Sequence, residues 1–286
     1  MKPPYELFQP RLRSTSVVFA SPHSGRDYAR AFGRRSVLDD LTLRSSEDAF
    51  VDELFAGCTK EGAPLIAANG PRAFVDLNRG YEELDPALIK GVAKSAHNPR
   101  VASGLGVIPR VVSGGRQIYR GKIPLSEAHA RLKEHWYPYH DKLRALLQES
   151  HQLFGQAILI DCHSMPHEAI ESLCRSRQER PEIVIGDRFG ASAHSGIVEG
   201  IEAAFRSEGF KVARNTPFAG AYIAQHYGRP SRNQHVVQVE IDRALYMNEK
   251  LIRKNGNYAS FQAALTRIIP LLANVGRANE LPLAAE

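Results

Sequence analysis

The chain has little cysteine, methionine or tryptophan and no long apolar run, and these shortages narrow what it can be. Its 286 residues hold three cysteines, three methionines and one tryptophan. Cys58, Cys162 and Cys174 are an odd number with no Cys-x-x-Cys pair, which argues against a disulfide framework and suits a reducing, cytoplasmic setting. No segment approaches the roughly 20 apolar residues that cross a bilayer. The stretch around Pro3 and Pro4 lacks the apolar core of a secretory signal, so no membrane partner and no export are expected. Low-complexity segments, long linkers and internal repeats are missing too, and a single domain over residues 1–286 is expected. A formal charge of +6 leans towards anionic ligands. Lys and Arg are scattered, however, with short groups only at Arg11/Arg13 and Arg34-Arg35, so nucleic acid is not indicated. What remains, 43% hydrophobic and 24% charged, is an ordinary globular chain able to bury a full core.

What is present is organised around residues 157–166. Ala157-Ile158-Leu159-Ile160 is an unbroken apolar run, the mark of a strand covered on both faces. It turns polar at Asp161-Cys162-His163-Ser164, and Pro166 ends any ladder pairing. Asp161 and His163, two apart, point one way along a strand, and Cys162 points the other. The carboxyl end of such a strand is where open α/β sheets keep their active sites.

The run from Ser16 to Ala20 likewise empties into Ser21-Pro22-His23-Ser24-Gly25. A helix is expected to open at Ser45-Ser46-Glu47-Asp48, with Ser45 and Asp48 in capping-box spacing, and to carry Val51, Leu54, Phe55 and Cys58 as far as Gly62 and Pro64. Leu65-Ile66-Ala67 and Phe74-Val75 read as short strands, the second delivering Asp76, Asn78 and Arg79. Residues 80–122 read as loop with small elements. After Pro124 an amphipathic helix carries Leu132, Trp136, Tyr139, Leu143 and Leu146, with a kink expected at Pro138. Strands follow at Ile183-Val184-Ile185, Lys211 to Ala213 and His235 to Ile241, with helices from Ser192 to Glu208 and around Phe261, Leu265, Ile268 and Ile269. Strands alternating with helices argue for a layered α/β fold, and the long crossovers leave a mixed or a parallel sheet open.

Strand ends thus deliver His23, Asp161, His163 and Glu240, and a helix start delivers Glu47 and Asp48. Two histidines and a carboxylate with one position left open are the ligand set of a hydrolytic zinc site, and a separate Glu can act as general base. Each residue also has a plain alternative: His23 as a loop residue, Asp48 as a dipole-favoured helix acid, Glu240 as an exposed position of an edge strand, Arg79 as a surface ion-pair partner.

As a set, Ser21-Pro22-His23-Ser24-Gly25, Asp76-Leu77-Asn78-Arg79, Asp161-Cys162-His163-Ser164-Met165, Gly186-Asp187-Arg188, Thr216-Pro217-Phe218-Ala219-Gly220, Tyr222, His226-Tyr227-Gly228, Gln238-Val239-Glu240-Ile241 and Tyr246-Met247 resemble the N-formylglutamate amidohydrolases, in the same order. The resemblance runs from about Val17 to Glu249 and reaches the wider group of zinc carboxypeptidase-like and aspartoacylase-like hydrolases. It implies a three-layer αβα domain with a central mixed, largely parallel sheet and one catalytic zinc. The roles it implies are His23 and His163 as zinc ligands, Glu240 as catalytic base, Asn78 and Arg79 as holders of the substrate carboxylate, and Arg72 as stabiliser of the oxyanion. Carboxypeptidase-like relatives place a Glu ligand three residues after the first His; here that position is Arg26, which cannot bind metal. The resemblance then points to Asp48 as the carboxylate ligand, with Glu47 as the alternative. Asp161 is a candidate to hold the second ring nitrogen of His163.

The implied reaction is hydrolysis of the amide of a small anionic N-formyl or N-acyl amino acid, N-formyl-L-glutamate first. Zinc lowers the pKa of bound water from about 15.7 towards about 7, and Glu240 takes the proton. Two other readings stay open: a zinc amidase acting on a different N-acyl amino acid or a cell-wall peptide, and a metal-free binding protein, which Arg26 would favour.

Overall fold

The computed structural model describes residues 3–93, 98–171 and 180–277; Cys174 lies outside them. Seven strands make the central sheet: β1 (Tyr5–Phe8), β2 (Val17–Ser21), β3 (Leu65–Ala68), β4 (Ala157–Met165), β5 (Ile183–Gly186), β6 (Val212–Arg214) and β7 (Gln234–Asp242). Their spatial order is β1-β3-β2-β4-β7-β5-β6. β3, β2, β4 and β7 run parallel, β1 is antiparallel to β3 and β5 to β7, and β5 and β6 are parallel to each other. The sheet is mixed and largely parallel, as the resemblance implied.

Alternation along the strands sorts the two faces. Val17, Phe19, Ile158, Ile160, Cys162, Val237, Val239 and Ile241 pack on one side against α1 (Val51–Phe55), α4 (Ser195–Ser207) and α6 (Tyr258–Asn274). Val18, Ala20, Leu159 and Val236 pack on the other against the segment from α2 (Leu125–Arg131) through α3 (Tyr137–Phe154), with α5 (Tyr222–Tyr227) beside it. The result is a three-layer αβα fold with an apolar core on each side of the sheet. On the second face the alternation continues past the apolar positions into Asp161 and His163 on β4 and Gln238 and Glu240 on β7. The parallel register sets Gln238 against Asp161 and Glu240 against His163. Glu240 therefore lies on an interior strand and is buried, not on an exposed edge.

Three expected elements differ. The helix does not open at Ser45: a short helix, Asp40–Arg44, ends there, and the Ser45 hydroxyl donates to Thr42 O instead of capping a new helix. α1 starts only at Val51, after Phe50 in a left-handed conformation (φ 69°). Residues 45–50 instead pass beneath β2, with the Asp48 N–H donating to His23 O at 3.0 Å. Phe74-Val75 is a turn closed by amides of both residues on Pro71 O, so Asp76, Asn78 and Arg79 arrive on a loop and not from a strand. At Pro138 the helix carries a π-helical stretch, Leu132–Trp136, just upstream, with Tyr137 N–H reaching Leu132 O. That wider turn accommodates the missing proline amide. The expected burial of Leu132, Trp136, Tyr139, Leu143 and Leu146 holds.

Gly25 is where two loops meet behind His23. A Cβ placed there would fall 2.0 Å from Gly70 O, a backbone atom that cannot step aside. We expect Gly25→Ala to lower stability by about 1–3 kcal/mol, the usual cost of overpacking, and to shift His23. Thermal unfolding with metal titration of the variant checks this; wild-type stability with wild-type metal affinity would contradict it.

Candidate metal-binding active site

The carboxyl ends of β2, β4 and β7 open into a cavity of about 630 Å³. His23, Asp48, Arg72, Asp76, Asn78, Arg79, His163, Gln238, Glu240 and Arg243 line it, so the metal, catalytic and substrate-binding residues singled out from the sequence reach one space. His23 follows β2 directly, His163 and Glu240 face it from paired strands, and Asp48 is held by its backbone bond to His23.

The hydrogen bonds fix how the histidines point. His23 Nε2 lies 2.8 Å from Asp76 Oδ1, and His163 Nε2 lies 3.0 Å from Asp161 Oδ2. A carboxylate only accepts, so each Nε2 carries a proton, and each Nδ1 is the nitrogen left available to a metal. Those two Nδ1 atoms face one oxygen, Asp48 Oδ2, at 3.4 Å and 2.9 Å. His23, Asp48 and His163 each offer a ligand atom within 4.8 Å of the others, and all three side chains are buried. Among the described residues His23 Nδ1 has no hydrogen-bond partner. Two ring nitrogens and a carboxylate oxygen turned on one another in a buried site can share a cation once His163 gives up its Nδ1 proton, and two imidazoles with a carboxylate suit a transition metal. Glu47 stands apart, its carboxylate accepting from Arg44 Nε and Nη2 at 2.9 Å and 3.1 Å.

The electrostatics mark the same spot as one that draws positive charge, a proton on His163 or a cation in its place. Burial alone would lower the His163 pKa, yet Asp161, Asp48 and Glu240 hold it well above its ordinary value. Burial would raise Asp48, but His163 and His23 hold its carboxyl well below the usual range. Glu240 has fewer counterweights: burial pushes it up to about 7, with Asp48 and Asp161 adding to the rise and His163 and Arg72 opposing it. A buried carboxyl with a near-neutral pKa is suited to taking and returning protons.

Around this group sit the supports. Arg72 Nε donates to Asp76 Oδ2 at 3.0 Å, and Arg243 Nη2 donates to Asp48 Oδ1 at 3.0 Å, which leaves Oδ2 for the histidines. Asn78 Oδ1 accepts from the amide of Ile223, and its Nδ2 faces Asp161 Oδ2 at 3.4 Å and His163 Nε2 at 3.1 Å. Its amide is thus committed at both ends. Arg79 is buried with backbone partners, Nε to Leu105 O and Nη1 to Asn78 O, and no acidic side chain pairs with it among the described residues. Arg26 is turned away, half-exposed on Asp52 and Glu53. The sequence reading gave no role to Asp76, Gln238 or Arg243. The alternation along β7 pointed to Gln238, whereas no pattern announces Arg243.

The N-formylglutamate amidohydrolase family model matches residues 15–247. A Pseudomonas aeruginosa protein named N-formylglutamate deformylase is 29% identical over 237 residues, covering 82% of this chain and 83% of its own length. Its namesake from Pseudomonas putida is 28% identical over 240 residues, with 82% of each chain covered. The crystal structure of N-formylglutamate amidohydrolase from Ralstonia eutropha JMP134 superposes with a TM-score of 0.89 at 33% identity, over 96% of this chain and 98% of that one. Matched over most of its length in sequence and in fold, this chain belongs to the N-formylglutamate amidohydrolase family.

Proposed function

We propose that the protein is a zinc-dependent amidohydrolase that cleaves N-formyl-L-glutamate to L-glutamate and formate. One observation carries the metal half of this reading: His23 Nδ1, His163 Nδ1 and Asp48 Oδ2 converge in a buried site beside Glu240. The names of the Pseudomonas and Ralstonia relatives support the substrate half.

His23, His163 and Asp48 would hold the zinc, which when bound supplies Lewis acidity and a lowered pKa for water. Asp76 and Asp161 keep the two imidazoles in the ligating tautomer, and Arg243 keeps Asp48 turned towards them. Glu240, near neutral in pKa, takes the proton of the attacking water and returns it to the leaving amine nitrogen. Arg72 is anchored on Asp76 through Nε, so its outer nitrogens can stabilise the oxyanion as the carbonyl is attacked. Arg79 is the holder of the substrate carboxylate, because it is a buried guanidinium without an acid of its own and its flat fork matches a carboxylate. Asn78 lies alongside and braces Asp161, which in turn holds His163. Arg26 turns outward onto Asp52 and Glu53 and leaves the ligand space to Asp48, which supports this reading over a metal-free binding protein, while a panel of N-acyl amino acids separates N-formylglutamate from other acyl substrates.

The purified protein should carry about one zinc per chain and release formate from N-formyl-L-glutamate, and His163→Ala should lose the metal. Elemental analysis beside the formate assay reads both; stoichiometric zinc in the variant would mean another ligand set. Glu240→Gln should keep fold and metal but lose about 10²–10⁴-fold in rate, measured as kcat at saturating substrate. A variant within a few-fold of wild type would reduce Glu240 to a strand residue. Arg79→Lys should raise KM by about tenfold or more, the worth of a charge-assisted hydrogen bond, with zinc content unchanged. The wild type should then cleave an amidated substrate poorly, and equal kcat/KM for acid and amide would remove Arg79 from substrate binding.

A further inference from the structure

Gln238 is buried two residues before Glu240 on the same face of β7, and both ends of its amide are used. Its Oε1 accepts from the Ala221 N–H at 3.2 Å, and its Nε2 donates to Glu240 Oε1 at 2.9 Å. The Ala221 amide can only donate, so the oxygen of Gln238 must face it and the NH₂ must face Glu240. The flip of the side chain is therefore decided by the backbone of residues 217–221, which form one wall of the cavity. That wall can reach Gln238 because the neighbouring position on β5 is Gly186, paired with Gln238 in the register. A Cβ on Gly186 would meet Ala219 C at 2.7 Å and Gly220 N at 2.8 Å. The wall is tied down from outside by Asn215, whose Oδ1 accepts from Asp187 N–H at 3.0 Å and Phe189 N–H at 3.3 Å. Two residues further on, Ile223 N–H donates to Asn78 Oδ1, so one short segment braces the His163 side of the site as well as Glu240.

We propose that Gln238 is a positioning residue for the reaction: it transmits the place of the 217–221 wall to Glu240, holding one carboxylate oxygen so that the other faces the reacting water. No hydrogen bond to Glu240 Oε2 is made by the described residues, and Glu240 lines the cavity, so that oxygen is the one left to work. A glutamine is required because the position must accept from a backbone amide and donate to a carboxylate at once. A leucine does neither; a glutamate accepts but sets two carboxylates together.

This inference rests on Glu240 as the base, and a double-mutant cycle tests the two separately. In the wild-type background Gln238→Leu should lower kcat by about 10–100-fold, the size of a hydrogen bond to a charged group, with KM and zinc content within about twofold. In the Glu240→Gln background the same change should cost less than about twofold, because the partner it positions is gone. Amide hydrogen exchange at Ala221 should quicken in Gln238→Leu and stay unchanged in Glu240→Gln. Gln238→Glu, nearly isosteric and still an acceptor for Ala221, covers the case of a leucine variant that does not fold. It should lose kcat to a similar degree while Ala221 stays protected. Equal losses in both backgrounds, or a full-rate Gln238→Glu, would overturn the positioning role; a full-rate Glu240→Gln would instead overturn the assignment of the base.

Discussion

Negative charge gathered in a buried place is the constraint on which the rest of the molecule turns. Asp48, Asp76, Asp161 and Glu240 all come together beneath one cavity, each almost wholly out of water. Carboxylates there are tolerable only with positive partners and directed hydrogen bonds. Arg72 and Arg243 supply part of the balance, and the imidazoles of His23 and His163 supply N–H donors and, on His163, positive charge. The loops, glycines and buried arginines near the site make sense as the means of holding like charges close together.

The sheet is what makes this arrangement possible. In a parallel pair, residues in register stand side by side on one face, so β4 and β7 present His163 beside Glu240 and Asp161 beside Gln238 without any loop having to aim them. The layer formed by α2 and α3 then closes the second face and reaches under the site: Trp136 Nε1 donates to Arg79 O at 2.9 Å, and His140 Nε2 lies 2.9 Å from Leu77 O. Burial pushes the His140 pKa down to about 3, so that imidazole is neutral and acts as a fixed brace for the loop carrying Asn78 and Arg79.

Much of this was legible in the sequence because it depends on period and punctuation. The run before Asp161, the alternation around Glu240 and the stepping of Leu132, Trp136, Tyr139, Leu143 and Leu146 each state a strand or a helix face directly. Local signals mislead where a long-range demand overrides them. Ser45 and Asp48 have capping-box spacing, but Asp48 is needed beneath His23 and the helix waits until Val51. Phe74-Val75 looks like a strand, yet Arg131 Nη1 donates to Phe74 O and its guanidinium stacks on the Phe74 ring 4.1 Å away, holding the residue in a turn. Arg243 follows β7 with nothing in its neighbours to mark it, and only the fold brings it to Asp48.

The ligand group spans the chain as well as the cavity. Asp48 and His163 are 115 residues apart, and their meeting needs β2 and β4 already paired at the centre of the sheet. A chain that has folded only one half has no such group, so on the proposed zinc reading loading with metal would report completed topology. A cation that binds the native state alone also stabilises it by mass action. On the zinc reading proposed above, starving the protein of metal would cost it turnover and, with it, part of its resistance to proteolysis.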